Sequence, residues 1–341
     1  MRLNILFGGP AGSGPNVLAH ILGAALVHSG FYVFYSREYQ SQIRGGHNFN
    51  VLTFSEKPVF SNDSELDIIV SLDEATKKIH KKNLKKQGTI VDGNFPNMHF
   101  AGILFKMFGL DFKLLEQELK QKERFEENIK EAKKGFEESK AWKNLKKRNN
   151  QKNYFENGSE GISQGAINSG LDLYFSYPMT PATPVLSELA QKQEKNNFLT
   201  LELENEIAVI MSAIGSAATG AKSMVGTSGG GFDLMTEAIS MAGQTEIPIV
   251  IYLAQRPGPS TGVATSTSQG DLNLARHSGH GEFPRIVLAP GCPKEASELT
   301  SQAFYFSQKF KIPVIILSDK HLAESFYTLS EKPKITNSEK S

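Results

Sequence analysis

Apolar residues along this chain come in short compact runs, separated by stretches where they recur every three or four positions. The first run is 4–7; residues 8–14 are rich in glycine, 16–29 carry apolar side chains at helical spacing, and a second run follows at 31–35. Further runs lie at 68–71 and 89–91. Short apolar runs bounded by turn residues predict buried strands, and a period near 3.6 between them predicts helices. The alternation predicts an open, largely parallel α/β sheet. A second series starts near Gly158, with strands expected at 173–176, 198–201, 223–226, 248–253, 286–288 and 314–317. Helical patterns fall between them, notably at 204–220 and 232–243, so a second parallel sheet is expected.

Between the two series, residues 111–153 are dense in Lys and Glu, with opposite charges three or four apart. Such pairs suit solvent-facing helices rather than a nucleic-acid surface, because the acidic residues would repel phosphate. The pattern predicts a domain at 1–115, a charged helical linker at 116–157, a second domain at 158–329 and a polar tail at 330–341.

Composition narrows the function classes. With 39% hydrophobic residues in 341, two ordinary cores can be built. A net charge of +1 gives no reason to expect nucleic acid or an acidic membrane as partner. No apolar stretch approaches the length of a membrane span, and the short run after Met1 lacks a signal-peptide core, so a cytoplasmic address is expected. Cys292 is the one cysteine, which excludes an internal disulfide and cannot supply four thiolates to an iron–sulfur cluster. No ligand spacing predicts a metal site in the chain.

Two glycine-rich turns stand out. Gly8-Gly-Pro-Ala-Gly-Ser-Gly14 joins a strand to a helix, where backbone N–H groups could cradle an anion. It is neither a clean G-x-G-x-x-G nor a Walker loop, and no acidic residue closes the strand at 31–35, so a tight structural turn explains it at least as well. Downstream, Arg44-Gly-Gly-His47 places a cation and an imidazole around two glycines that permit close backbone approach. The second turn, Thr227-Ser-Gly-Gly-Gly231, follows an expected strand and could approach a flat or anionic ligand.

Three further motifs sit at expected strand ends. In Tyr177-Pro-Met-Thr-Pro181, two prolines stiffen the backbone around Thr180. Glu206 opens an apolar helix, where a carboxylate serves either as a cap or as a group aimed into a site. Arg256 precedes a Pro/Gly-stiffened loop, a sound way to offer a guanidinium to a carboxylate. Taken singly, the Thr180 loop is evenly balanced between a structural and a binding reading, and at Glu206 the cap reading is favoured.

In order, however, Tyr177-Pro-Met-Thr-Pro181, Glu204-Asn-Glu-Ile-Ala208, Thr227-Ser-Gly-Gly-Gly-Phe232, Gln255-Arg256 and Gln269-Gly-Asp-Leu272 resemble the alpha subunit of 2-oxoacid:ferredoxin oxidoreductases. The segment holding Gly8–Gly14 and Arg44-Gly-Gly-His47 resembles the gamma domain fused ahead of it in that family. The resemblance implies a Rossmann-like gamma domain followed by a thiamine-diphosphate pyrimidine-binding, transketolase-like domain. It implies that Glu206 hydrogen-bonds the aminopyrimidine and that Thr180 and Arg256 hold the 2-oxoacid. Tyr177, Pro178, Thr227, Ser228 and Gly229 would contact the cofactor, and Arg44, Gly45, Gly46 and His47 would meet coenzyme A or a neighbouring domain. The implied reaction is CoA-dependent oxidative decarboxylation of a 2-oxoacid, 2-oxoglutarate first, with electrons passing to ferredoxin. No Gly-Asp-Gly occurs in the chain. A beta subunit in a hetero-oligomer is therefore expected to hold Mg²⁺, the diphosphate and a 4Fe-4S cluster. Two alternatives stay open: a non-catalytic or regulatory paralogue or fragment of such a subunit, and, ranked below it, a nicotinamide-dependent oxidoreductase using His277 or His280 near Asp271.

Overall fold

The computed structural model describes residues 1–39, 46–120, 123–148, 153–331 and 333, and they divide into two compact units. The first comprises Met1–Phe155 with Phe326–Ser330. It runs β1 (Arg2–Pro10), α1 (Pro15–His28), β2 (Tyr32–Glu38), β3 (His47–Ser55), β4 (Leu66–Ser71), α2 (Glu74–His80), β5 (Leu84–Asp92), α3 (Asn97–Phe108), α4 (Phe112–Leu119), α5 (Phe125–Glu138) and β6 (Tyr154–Asn157). β1 pairs in parallel with β4, and β4 with β5, but β3 runs antiparallel to both β1 and β2. The sheet is therefore mixed where the sequence predicts a largely parallel one. Asn48 and Asn50 break the apolar run of β3, which hid that strand from a periodicity reading. The core is aromatic, with Phe7, Phe31, Phe54, Phe105 and Phe108 fully buried.

The charged segment belongs to this unit. Glu and Lys line the outer face of α5, whereas Ala132 and Gly135 are buried against α3. A side chain at Gly102 of α3 would run into the Ala132 carbonyl, and one at Gly135 into the His99 carbonyl, so the two backbones meet only because both positions are glycine.

The second unit, Glu156–Ser325 with the residues from Glu331, runs α6 (Gly158–Asn168), β7 (Leu173–Ser176), α7 (Thr183–Asn196), β8 (Leu199–Glu202), α8 (Glu206–Ala218), β9 (Ser223–Thr227), α9 (Gly229–Leu234), α10 (Thr236–Gln244), β10 (Ile249–Gln255), α11 (Leu272–His277), β11 (Ile286–Leu288), α12 (Pro293–Phe310), β12 (Pro313–Asp319) and α13 (Lys320–Glu324). Every pairing in its sheet is parallel, in the order β11-β12-β10-β9-β7-β8. Two cores cover the two faces, one built around Tyr174, Tyr252 and Phe304, the other around Ile210, Phe232 and Ile251. β9, β10 and β12 are buried throughout, and strands buried on both faces read as continuous apolar runs, which is why the sequence located them well.

One short strand escapes its neighbours in sequence. β13 (Phe326–Leu329), which the sequence reading left in the second domain, pairs antiparallel with β2, and Val33 N donates to Thr328 Oγ1 at 2.8 Å. The first sheet thus runs β5-β4-β1-β3-β2-β13-β6.

Candidate functional site

The second unit has a topological switch point. From β7 the chain moves out to the edge strand β8, then crosses back to β9 on the other side of β7. Open parallel sheets leave a crevice at the strand carboxyl ends where the order reverses in this way. A cavity of about 660 Å³ lies there, and each of the four strands contributes to its wall: Tyr177 after β7, Glu206 after β8, Gly229 after β9 and Arg256 after β10. Met179, Gly230, Asp233, Leu234, the loop from Pro257 to Thr261, Asp271 and Leu274 complete it.

Glu206 is not the helix cap. Asn205 fills that role, its Oδ1 accepting from Ala208 N at 2.9 Å. Glu206 is therefore the first residue inside α8, only 4% exposed, and its Oε1 has no hydrogen-bond partner. A buried acceptor without a donor is uncommon, because burial strips its water and returns nothing. Of the two readings open for this residue, the group aimed into a site fits the geometry.

Arg256 lies across the same cavity. Its Nη1 donates to the Thr180 carbonyl at 2.7 Å, so the two residues expected to hold one substrate meet through the backbone. Burial lowers the guanidinium below its ordinary range, and the charge of Glu206 works against that shift. The Thr180–Pro181 and Gly258–Pro259 peptide bonds on either side of this contact are cis. Thr227 and Ser228 sit behind the wall, fully buried, and the Ser228 hydroxyl also lacks a partner. Pro178 is exposed and does not line the cavity.

The glycines of the Thr227–Gly231 turn face two carboxyl groups. A Cβ at Gly231 would strike Thr227 Oγ1 and come within 2.8 Å of Glu206 Oε1; one at Gly229 would come within 2.5 Å of Asp271 Oδ2. Asp271 Oδ2 is buried and unpaired too, and burial alone raises that carboxyl above its usual range. The sequence reading saw Asp271 within a motif but gave it no place in the site. Its position depends on hydrogen bonds to residues far away in the chain, which no local pattern reveals.

In the first unit, His47 opens β3 with Gly46 just ahead of it, while Arg44 and Gly45 lie outside the described residues. His47 Nε2 is 2.7 Å from His80 Nε2, one ring nitrogen donating to the other. Burial lowers both imidazoles, His80 to about 4 with His47 and Lys82 adding to the shift, and His47 less so because Asp73 opposes it. His277 and His280 are exposed and absent from the cavity wall. Among the described residues, no cluster of three or more His, Cys, Asp or Glu is placed to hold a metal.

A mixed α/β unit followed by a parallel-sheet unit with a carboxylate-bearing switch-point cavity defines a class of protein, and comparison with known proteins gives that class its family. Residues 164–340 match the family model described as pyruvate flavodoxin/ferredoxin oxidoreductase, thiamine diP-binding, and residues 4–94 match pyruvate ferredoxin/flavodoxin oxidoreductase. The 2-oxoacid:ferredoxin oxidoreductase alpha subunit of Saccharolobus solfataricus is 30% identical over 97% of this chain and 67% of its own length. A Sulfolobus counterpart is 31% identical over 96% of this chain and 66% of its own. The 2-oxoglutarate synthase subunit KorA of Archaeoglobus fulgidus is 42% identical over 49% of each chain. Among solved structures, the 2-oxoglutarate:ferredoxin oxidoreductase from Magnetococcus marinus, with 2-oxoglutarate, coenzyme A and succinyl-CoA bound, superposes with a TM-score of 0.88 at 27% identity, over 99% of this chain and 67% of that one. The chain belongs to the 2-oxoacid (pyruvate):ferredoxin oxidoreductase family. It spans about two thirds of the length of its full-length relatives.

Proposed function

We propose that this chain supplies the pyrimidine-binding half of a thiamine-diphosphate site in a CoA-dependent 2-oxoacid:ferredoxin oxidoreductase. The observation that carries the proposal is the buried, unpartnered Oε1 of Glu206 in a switch-point cavity shared with Arg256. The donor set suits the cofactor. Glu206 offers an acceptor to a protonated ring nitrogen, and the glycine turn offers a flat backbone wall. When bound, thiamine diphosphate supplies the thiazolium carbon that attacks a keto carbon and accepts the electrons released by decarboxylation.

In this reading each residue has a bounded task. Glu206 holds the aminopyrimidine and keeps a proton at its ring nitrogen. Arg256, steadied by the Thr180 carbonyl, has guanidinium N–H groups left for the carboxylate of the 2-oxoacid, and the Thr180 hydroxyl serves its keto oxygen. Tyr177 and Gly229 line the pocket around the cofactor, Thr227 and Ser228 back its wall, and Pro178, outside the wall, stiffens the loop that carries Tyr177. The diphosphate with Mg²⁺ and the 4Fe-4S cluster are assigned to a beta subunit, with ferredoxin as acceptor. Arg44, Gly45, Gly46 and His47 are assigned to coenzyme A or a domain contact. The likeness to 2-oxoglutarate synthase subunits supports 2-oxoglutarate as the first substrate to test. Among the described residues no helix is long and apolar enough to cross a membrane, and we place the complex in the cytoplasm.

The test is co-expression of the full chain with a partner subunit carrying a Gly-Asp-Gly motif and cluster cysteines. The purified pair is assayed for CoA-dependent reduction of a low-potential acceptor across several 2-oxoacids. Turnover that is greatest with 2-oxoglutarate and collapses in Glu206→Gln is expected. A stable, cofactor-loaded pair without turnover on any 2-oxoacid would instead identify a non-catalytic paralogue.

A further inference from the structure

The helix that begins with Glu206 carries a second apolar face. α8 buries Val209, Ile210, Ala213 and Ile214 against the sheet, as an amphipathic helix should. Charge is expected on its outer side, but from Ile207 to Ala221 the sequence holds no Asp, Glu, Lys or Arg. Ile207 and Met211 are instead 56% and 43% exposed, and Gly215 and Ala218 continue the same exposed line at helical spacing. Elsewhere in this unit α7 exposes Glu194 and Lys195, and α12 exposes Glu295 and Lys309.

Two further observations mark this face as a contact surface. Gly215 sits inside α8, where glycine is disfavoured, and a Cβ built on it would meet nothing within 4 Å among the described residues. Gly102 and Gly135 let two helices of this chain touch, whereas no neighbour in the chain requires a glycine at 215. The helix layer also stops short of the sheet edge. Leu199 and Leu201 of β8 pair in register with Leu173 and Phe175 of β7, so they point to the side on which Phe175 packs with Val209 and Ile210 of α8. α8 itself packs over β7 and β9, and Leu199 and Leu201 stay 57% and 38% exposed. A sheet edge that presents leucines on a helix-covered face is short of one helix.

The exposed line starts at the cavity. Ile207 follows Glu206, whose buried Oε1 has no partner, and Gly215 lies about 12 Å further along the helix axis at about 1.5 Å per residue. Leu234, also exposed, belongs to both the cavity wall and its apolar rim. Whatever covers α8 therefore also reaches the cavity mouth. The chain has no Gly-Asp-Gly to hold a diphosphate, so a second chain is already needed there, and one partner meets both needs.

We propose that the outer face of α8, with Leu199 and Leu201 of β8, is the docking face for the subunit that completes the site, and that an uncharged, apolar helix of that subunit crosses α8 at Gly215. The choice of occupant rests on the thiamine-diphosphate reading above. Gly215 allows the two backbones to approach closely, Ile207 and Met211 supply the buried apolar area, and the missing charges leave no ion to desolvate. Docking along α8 fixes the position of the helix whose first residue is Glu206, so assembly and placement of that carboxylate are one event.

Subunit affinity tests it. The full chain is immobilised and titrated with the partner subunit that carries Gly-Asp-Gly and the cluster cysteines, and thiamine diphosphate uptake by each pair is measured separately. Met211→Glu, which would bury a lone charge, is expected to weaken the pair by about tenfold or more. Gly215→Leu should weaken it as much while leaving the thermal midpoint of the full chain unchanged or higher, because the new side chain meets nothing within the chain and glycine is a poor helix residue. Gly215→Leu carries the test if Met211→Glu does not fold. Phe310→Glu, at an exposed position on α12, should change the affinity less than about twofold. Met211→Glu and Gly215→Leu chains that pair as tightly as wild type and load thiamine diphosphate would overturn the docking face and leave the thiamine reading intact. Self-association of the full chain that both variants abolish, with partner affinity unchanged, would make a second copy the occupant and overturn the assignment. A wild-type pair that weakens in both variants yet takes up no thiamine diphosphate would support the docking face and remove the thiamine reading.

Discussion

The two glycine-rich turns look alike as text and differ in what their glycines touch. In the first unit, a Cβ at Gly8 would approach Thr76 Oγ1 to 2.8 Å, and one at Gly9 would approach Leu72 Cβ to 2.9 Å. Gly14, in the left-handed region with φ 83, stands beside Asn97, whose Nδ2 donates to the Gly14 carbonyl at 3.2 Å. Each of these neighbours is a packed side chain of the same unit, several with hydrogen bonds of their own. In the second unit the glycines at 229 and 231 face carboxyl oxygens without partners, in the wall of a cavity. Glycine makes room in both places. In the first the unpaired group is a neutral amide oxygen, Asn97 Oδ1; in the second, carboxyl oxygens without partners belong to residues that line a cavity, and that distinguishes a ligand wall from a packing turn.

Breaking the second turn's chemistry should have the largest effect. Glu206→Gln is expected to lower CoA-dependent acceptor reduction by about 10²–10⁴, the usual range for losing one acid–base group, with little change in the thermal unfolding midpoint. Gly231→Ala comes next. Its methyl would collide with Thr227 and crowd Glu206, so thiamine diphosphate affinity should fall about tenfold or more with the fold retained. The matching change in the first unit, Gly9→Ala, should do the opposite: a stability loss of about 1–3 kcal/mol from overpacking against Leu72, read by urea denaturation, with cofactor affinity unchanged. If Gly9→Ala reduced cofactor affinity while Gly231→Ala did not, the comparison would be inverted.

Smaller effects separate the units by pH. In the second, burial, with Glu188 and Glu156 adding to it, raises Glu160 to about 7, although its carboxylate accepts from Asn157 N in a capping box. A carboxyl raised in the folded state binds more protons there than when unfolded. Its contribution is therefore present below about 4.5 and is lost as pH rises toward 7, by about 1–3 kcal/mol. Glu160→Gln should flatten that slope. In the first unit the sign reverses. His80, lowered to about 4, contributes stability above 6.5 that disappears as pH falls from 6.5 to about 4. Trp142, the chain's single tryptophan, packs edge-on against Phe108 in that unit, so its fluorescence follows the His80 trend separately from Glu160.

Much of the site could be read from the sequence because its parts sit at strand ends. Tyr177, Gly229 and Arg256 each follow a buried strand and Glu206 follows the exposed edge strand β8, all of which apolar runs locate, and a parallel sheet brings successive strand ends to one edge. Asp271 was legible only as part of a motif, because its place is set by Gln255 and, through Gln269, by Asp319, with hydrogen bonds spanning 16 and 50 residues. The same limit applies to the fold. β13 has four residues and pairs with a strand almost three hundred positions earlier, and β3 carries asparagines where a periodicity reading looks for alternation. Local pattern identifies an element that buries a continuous face. It does not reveal one that is defined by a distant partner.

The most direct test of the central claim, that the turn beside Glu206 binds the cofactor, is a calorimetric titration of thiamine diphosphate. The samples are the wild-type full chain with its partner subunit and the same complex carrying Glu206→Gln or Gly9→Ala. The account predicts saturable binding to wild type, unchanged binding to Gly9→Ala and a loss of at least about tenfold in Glu206→Gln. Binding that is indifferent to Glu206, or that depends on Gly9, would contradict it.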